Sequence, residues 1–403
     1  MKGFRDRAEV SAVLALIERR ITSLPGERVP LSQAGGRVLA SDIHSEVDVP
    51  SFDRAAMDGY AVRGEDTFGA SLYSPIELRL IGEVRAGRQF AGHCGPGQAI
   101  RIMTGAPMPG GADAVLPAEQ AEEQNGVVLV REPVPPGRHV GRRGEDVQSG
   151  CCILAAGRVL RPQDLGVLAA VGVAEVDVVR RPVAAIYVTG DELLPCGSKP
   201  DGFRIVDSNS IMLEALVRRD GGVPILSPIL PDQRDALTEA LASCSADVIL
   251  VTGGTSVGSE DHLPSVMAEI GELAVHGVAM RPASPSGLGF VHGNPVFLLP
   301  GNPVSCLAAY EFFAGPAIRR QGGKAMDWPH RRVVRPLASK IASAIGRVDY
   351  VRVQFVEGAV VPLAISGASI LTTTTRADGF VIVPADCEGY PPGASVEVFL
   401  YDA

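Results

Sequence analysis

The chain has 403 residues, 46% of them apolar, with 46 Gly, 31 Pro and a formal charge of -9. At roughly 150 residues per domain this length suggests about three domains, and few aromatics beside abundant Gly and Pro favour short elements joined by many turns. The acidic balance argues against a nucleic-acid surface, no stretch approaches the ~18 apolar residues of a membrane helix, and the N-terminal MKGFRDRAEV does not read as a secretory signal.

In chain order, Val10, Val13, Leu14, Ile17 and Ile21 fall at helical spacing and predict an amphipathic opening helix over 8–21. From 46 to 142, short runs such as IELRLIGEV (76–84) and GVVLVREPV (126–134) alternate with Pro/Gly turns, as in a small β-domain. RPQDLGVLAAVG (161–172) returns to helical spacing with Gly172 suited to the C-cap, so the β-domain reads as an insertion into a helical segment. Beyond 180 the pattern is strand, polar turn, helix: PVAAIYVTGDE (182–192) with the helix 208–222, DVILVTGG (247–254) with 263–271, and PVFLLPGNPVSCLAAYEFF (295–313). Asn302 suits the N-cap of the last helix and Pro303 its first turn. Such alternation predicts a parallel sheet covered on both faces, with ligands beyond the carboxyl ends of its strands. After 327 the chain is β-like again, through YVRVQFVEG, GFVIVPAD and SVEVFLYDA. The seven cysteines, Cys151 and Cys152 adjacent and none in a CxxC pair, read as reduced thiols in a cytoplasmic protein.

Three polar turns fall at one sheet edge: TGDE (189–192), TGGTSVGSED (252–261) and PGNP (300–303). Asp191 and Glu192 beside a substrate phosphate require a cation between them, so they are either Mg²⁺ ligands or helix-capping carboxylates; Asp261 carries the same two readings. In SFDRAAMDGYAV (51–62), Asp58 reads either as a carboxylate buried among small apolar residues or as a turn Asp before Gly59. RIMTGAPMPGGADAV (101–115) adds Thr104 in a turn-rich loop, and GRRGEDVQSG (141–150) is a charge run that reads as solvated surface.

The motifs RAAMDGYAV, RIMTGAPMPGGADAV, GEDV, VTGDELL, DSNSIML, TGGTSVGSED and LPGNPVS occur in this order and at compatible spacing. Together they resemble the MoeA-type molybdopterin molybdenumtransferases, related to the E-domain of gephyrin, over essentially the whole chain. The resemblance implies an elongated four-domain α/β fold. Its parts would be a helical dimerisation domain (1–45 and 143–179), an inserted β-rich domain (46–142), a molybdopterin-binding α/β domain with a parallel sheet (180–327) and a C-terminal β-domain (328–403). It implies a homodimer whose active cleft is shared between subunits, fed by a molybdopterin adenylyltransferase and serving molybdoenzymes downstream. It implies the reaction of adenylylated molybdopterin with molybdate, assisted by Mg²⁺, with release of AMP. By matched motif, Asp58, Thr104, Glu192 and Asp146 would be catalytic, with Glu192 and Asp261 on Mg²⁺. Gly190, Asp191, Ser208, Asp232, Gly253, Gly254, Ser256 and Gly258 would bind substrate on the sheet side. Pro300, Gly301, Asn302, Pro303 and Ser305 would shape the last loop.

One stretch departs from the family pattern. A KPGKP-like segment is common after the GGxSVG turn, and its lysines suit an oxyanion; this chain has MRPASPSG at 280–287. Arg281 keeps a positive charge, while Ser284 stands where the second Lys would be. Arg is not equivalent to Lys as a compact point charge, so the departure bears on molybdate binding. It also leaves a second function open, a cofactor-binding carrier or scaffold with little insertion activity.

Overall fold

The computed structural model describes residues 7–255, 262–364 and 367–401. Contacts group the chain into two compact units: residues 29–35 with 39–176, and the described parts of 1–28, 36–38 and 177–403. The smaller unit is built on a six-stranded sheet in the order Ala114–Pro117, Gly59–Val62, Gln98–Ile102, Ile76–Val84, Val127–Val130, Ala121–Gln124. Its neighbours are antiparallel except Ile76–Val84 with Gln98–Ile102. Alternation along the strands sends Leu78, Leu116, Val128 and Val130 into one core and Ile100, Ile102 and Val115 into another. The helix α2 (Pro162–Ala170), second in chain order, ends as expected, with Gly172 at φ +85° just past its C-cap. Buried Asp164 at its start takes hydrogen bonds from Arg158 and Arg161, which hold its carboxyl well below the usual range.

The larger unit opens with α1 (Val10–Arg20), whose Val13 and Ile17 are buried as the spacing predicts. Its central sheet contains β1 (Val183–Val188), β2 (Val223–Leu226), β3 (Val248–Thr252), β4 (Glu272–His276), β5 (Gly287–Val291) and β6 (Asn294–Leu299). They lie in the order β2-β1-β3-β6-β5-β4. The first four are parallel, but β5 runs antiparallel to both of its neighbours, β6 and β4, so the sheet is mixed where the sequence pattern predicts a parallel one. Both faces are covered, and the register shows why the strands are apolar at every position. Ile186, Leu250 and Phe297 face a core that includes Val13, Leu213 and Phe313, whereas Ile249, Val251 and Leu298 face Leu237, Leu263 and Met267. Residues 263–270 form the predicted helix; Arg234–Ala242 is a further one.

The last helical run is Pro303–Ala309, a π-helical turn Tyr310–Ala314, and Gly315–Gln321. The π turn faces inward, burying Glu311 at 1% exposure. Glu311 accepts from Arg219 at 2.6 and 3.0 Å and sits 3.3 Å from His330 Nε2. Asp220 accepts from Arg319 at 2.7 Å, Arg219 at 2.9 Å and the Tyr310 hydroxyl at 2.9 Å. Of these four charges Asp220, Glu311 and Arg319 are buried and Arg219 reaches the surface; beside them an aromatic group, Trp328, Phe380 and Phe399, ties the C-terminal β-sheet to the central sheet. The C-terminal sheet is centred on Val348–Val356 and Gly379–Val383, followed by Ser395–Leu400. Among the described residues no helix is long and apolar enough to cross a membrane. All seven cysteines are free thiols.

Candidate functional site

The parallel register sets Val188, Thr252 and Leu299 side by side, so the three polar turns that follow them emerge together at one sheet edge. Gly253 is required there by packing: its φ is +101°, and a Cβ would lie 2.4 Å from the Thr189 carbonyl oxygen. Gly253→Ala therefore forces β1 and β3 apart at the cavity floor. The expected result is a loss of about 1–3 kcal/mol in urea melts of the variant; an unchanged midpoint would show that the turns can separate freely.

A cavity of about 650 Å³ opens on this edge. Glu192, Asp207 and Asp232 line it from three loops, together with Ser208, Gly253, Gly254, Pro300, Gly301, Asn302 and Pro303. Asp232 is oriented by the Thr189 hydroxyl, which donates to its Oδ1. Asp207 is buried, and its Oδ1 accepts the backbone N–H groups of Asn209 at 2.9 Å and Ser210 at 3.2 Å. It thus performs the N-terminal capping of the helix α3 (Asn209–Arg219), while Ser208 makes no side-chain cap bond. Asp191 is exposed and accepts the Asp232 N–H at 3.2 Å, and neither it nor Gly190 is among the lining residues. Gly190 is packed instead, with Glu192 Oε2 2.8 Å from where a Cβ would stand. Asn302 occupies the N-cap position as predicted, but its Oδ1 accepts from Ser369 Oγ at 2.9 Å and caps nothing.

A second cavity of about 300 Å³ adjoins the first, with Pro285, Pro300 and Asn302 in the walls of both. Arg281, Ser284 and Ser305 line it. The guanidinium of Arg281 pairs with Asp349, a fully buried carboxylate that also takes Ser343 Oγ at 2.7 Å and faces Arg347 at 3.1 Å. Its charge is therefore largely committed to the protein. The same cavity holds a cation that the sequence reading missed, Arg352, 1% exposed on the strand Val348–Val356. Burial lowers its pKa from the ordinary value, yet a guanidinium stays protonated. The signal lay in YVRVQFV, where an Arg occupies an inward position of an otherwise apolar strand.

In the smaller unit, Asp58 is exposed, which overturns the expectation of a buried carboxylate. It sits in the turn before Gly59, where a Cβ would meet the Leu116 carbonyl at 2.0 Å. Its Oδ1 accepts the backbone N–H of Thr104 at 2.6 Å and the Thr104 hydroxyl at 2.8 Å, and these bonds lower its pKa. The two residues thus form one anionic, preorganised surface point. Asp146 is exposed in the GRRGED turn, which is held by Arg142 and Arg143 to Asp53 and by Arg143 to Asp48. Ser256, Gly258 and Asp261 lie outside the described residues.

Three family models match in succession: the MoeA N-terminal region (domains I and II) over 8–172, a probable molybdopterin-binding domain over 185–320, and the MoeA C-terminal region (domain IV) over 334–401. The chain belongs to the MoeA family. Within the family it is 35% identical to a Mycobacterium tuberculosis protein named molybdopterin molybdenumtransferase 2, covering 99% of both chains. It is 36% identical to a putative molybdopterin biosynthesis protein of Methanocaldococcus jannaschii, covering 93% of this chain and 92% of that one. A crystal structure of the MoeA protein from Pyrococcus horikoshii superposes with a TM-score of 0.82 at 36% identity, over 98% of this chain and 100% of that one. The MoeA arrangement of an N-terminal region, a central α/β domain and a small C-terminal β-domain is the arrangement of this chain.

Proposed function

We propose that this protein is a molybdopterin molybdenumtransferase of the cytoplasm, which transfers molybdenum from molybdate to adenylylated molybdopterin and releases AMP. The observation that carries this reading is the pair of adjoining cavities. The larger has carboxylates and compact turns, with room for a pterin and a nucleotide. The smaller is lined by Arg281, Arg352 and two serines, as a tetrahedral oxyanion requires. The two cavities share a wall of Pro285, Pro300 and Asn302, so substrates held in them would lie within reach of one another.

The donor set fits Mg²⁺, an ion commonly held by one or two carboxylates and completed by substrate phosphate. Glu192 and Asp232 would hold it, where it would neutralise charge on the phosphoryl oxygens as the anhydride to AMP is cleaved. Asp207 keeps the floor in place through the start of α3, Arg352 binds the molybdate oxygens, and Asp58 with Thr104 would approach from the partner of a homodimer. Adenylylated pterin would come from a dedicated adenylyltransferase, and the product would pass to molybdoenzymes.

The test is AMP release from adenylylated molybdopterin with and without molybdate. Glu192→Ala and Asp58→Ala should each lower the molybdate-dependent rate roughly 100-fold. Mixing the two variants after subunit exchange should restore about a quarter of the wild-type rate, because half the dimers then carry one intact cleft of two. No recovery despite demonstrated exchange would rule out a shared cleft. The carrier reading is favoured by Ser284 in place of a Lys; it predicts that the protein retains pterin on purification but releases no AMP in response to molybdate.

A further inference from the structure

Asn209 lies on the inward face of α3, in line with Leu213 and Val217 at intervals of four residues. It is 6% exposed, a polar residue in a row of core positions. Both hydrogens of its amide are used between loops. Nδ2 donates to Thr252 Oγ1 at 3.0 Å and to the Gly301 carbonyl at 2.8 Å. Thr252 in turn donates from its own hydroxyl to the Pro300 carbonyl at 3.2 Å. One side chain thereby ties the start of α3 and the end of β3 to the first two carbonyls of the PGNP turn, that of Gly301 directly and that of Pro300 through Thr252. Because trans peptides are planar, fixing the carbonyls of Pro300 and Gly301 toward Asn209 directs the N–H groups of Gly301 and Asn302 the opposite way. Gly301 and Asn302 line the larger cavity, whereas the brace behind them is buried.

We infer that Asn209 is a positioning residue: through Thr252 it fixes the orientation of the PGNP peptide planes against which the phosphate-bearing substrate rests. The role rests on the proposed reaction for its substrate, but the brace itself is a property of the free protein. Leaving Asn209 Oδ1 buried without a hydrogen-bond donor is consistent with a residue kept for its two N–H groups.

Asn209→Asp preserves shape and removes both donors. In the ligand-free variant, amide hydrogens in the segment 299–306 should exchange at least tenfold faster by mass spectrometry, with little change elsewhere. In steady-state AMP release, KM for adenylylated molybdopterin should rise about tenfold while kcat falls less than threefold. Thr252→Val should reproduce part of both effects, and Thr252→Ser, which keeps the hydroxyl, should not. Unchanged exchange in the 299–306 segment overturns the inference whether or not the protein turns over. So does a loss of activity that follows only a general fall in melting temperature, because a purely structural Asn209 would lower the folded fraction, reducing the apparent kcat and leaving KM unchanged. If exchange rises as expected but the wild-type protein releases no AMP, the brace stands and the proposed reaction fails instead.

Discussion

Replacing Arg352 by Met raises the KM for molybdate roughly 10- to 150-fold, corresponding to the ~1.5–3 kcal/mol of a hydrogen bond to a charged group. The expectation follows from where the cations of the smaller cavity stand. Arg281 is paired with buried Asp349, and Arg352, 1% exposed, stands in the same cavity wall. A charge in such surroundings is felt by an oxyanion more strongly than one in water. Met has a similar length and removes the charge without opening a large void. The KM for adenylylated molybdopterin should stay within about twofold, since the proposed function assigns that substrate to the other cavity. Arg352→Lys keeps the charge but not the planar fork, and an intermediate loss is expected. A folded Arg352→Met protein with a wild-type molybdate KM would remove Arg352 from the oxyanion pocket.

The second large effect is on stability. Asp220→Ala leaves Arg319, 4% exposed, without its carboxylate, and takes a partner from Arg219 and Tyr310. Breaking a buried pair from one side costs about 3–5 kcal/mol, which for a unit of this size lowers the melting midpoint by roughly 10 °C. Arg218→Ala, which removes only an exposed pair with Glu214, should cost less than about 1 kcal/mol. Similar losses for both variants would mean that the buried cluster is not what holds this region. The cluster also predicts acid sensitivity. Burial pushes the Glu311 carboxyl up, but the bonds from His330 and Arg219 outweigh it, and its pKa lies below the usual value. A depressed folded-state pKa gives stability that is present above the unfolded value, about 4.3, and is lost as pH falls toward the folded one. Chemical melts from pH 6 down to about pH 3 should show that decline in wild type and a weaker one in Glu311→Gln.

The three strand-end turns were legible in the sequence because each follows a short, wholly apolar strand and breaks it with Gly or Pro. Periodicity likewise announced α1, where Val13 and Ile17 share one face. Periodicity could not reveal the antiparallel pair β4 and β5. GLGFV is buried at every position, and direction is set by pairing rather than by composition. Of the two readings of Asp58, the turn residue before Gly59 is the one the structure bears out; its small neighbours do not enclose it, for Ala55 is buried while Ala56 and Asp58 are exposed. The start of the helix at Asp207 or Ser208 is legible too, and Asp207 caps it. The site residues that escape notice, Asn209 and Arg352, are polar groups at positions where the pattern predicts core. Their roles depend on partners far along the chain, such as Gly301 for Asn209, and no local window contains both.

The common core of α1, the central sheet and the C-terminal aromatics also sets an order of events during synthesis. α1 packs on the π-helical turn at 310–314 and on the helix that follows it, and its core extends to Tyr350, Phe380 and Phe399. A ribosome working at about 5–20 residues per second needs tens of seconds to produce those partners after α1 has emerged. The smaller unit, by contrast, is nearly continuous in sequence and holds its own cores, so it can fold in the interval. An eleven-residue helix is marginal alone, so Val13 and Ile17 lack the partners that bury them during that time. The first helix of this chain is therefore made well before the core that buries it is complete.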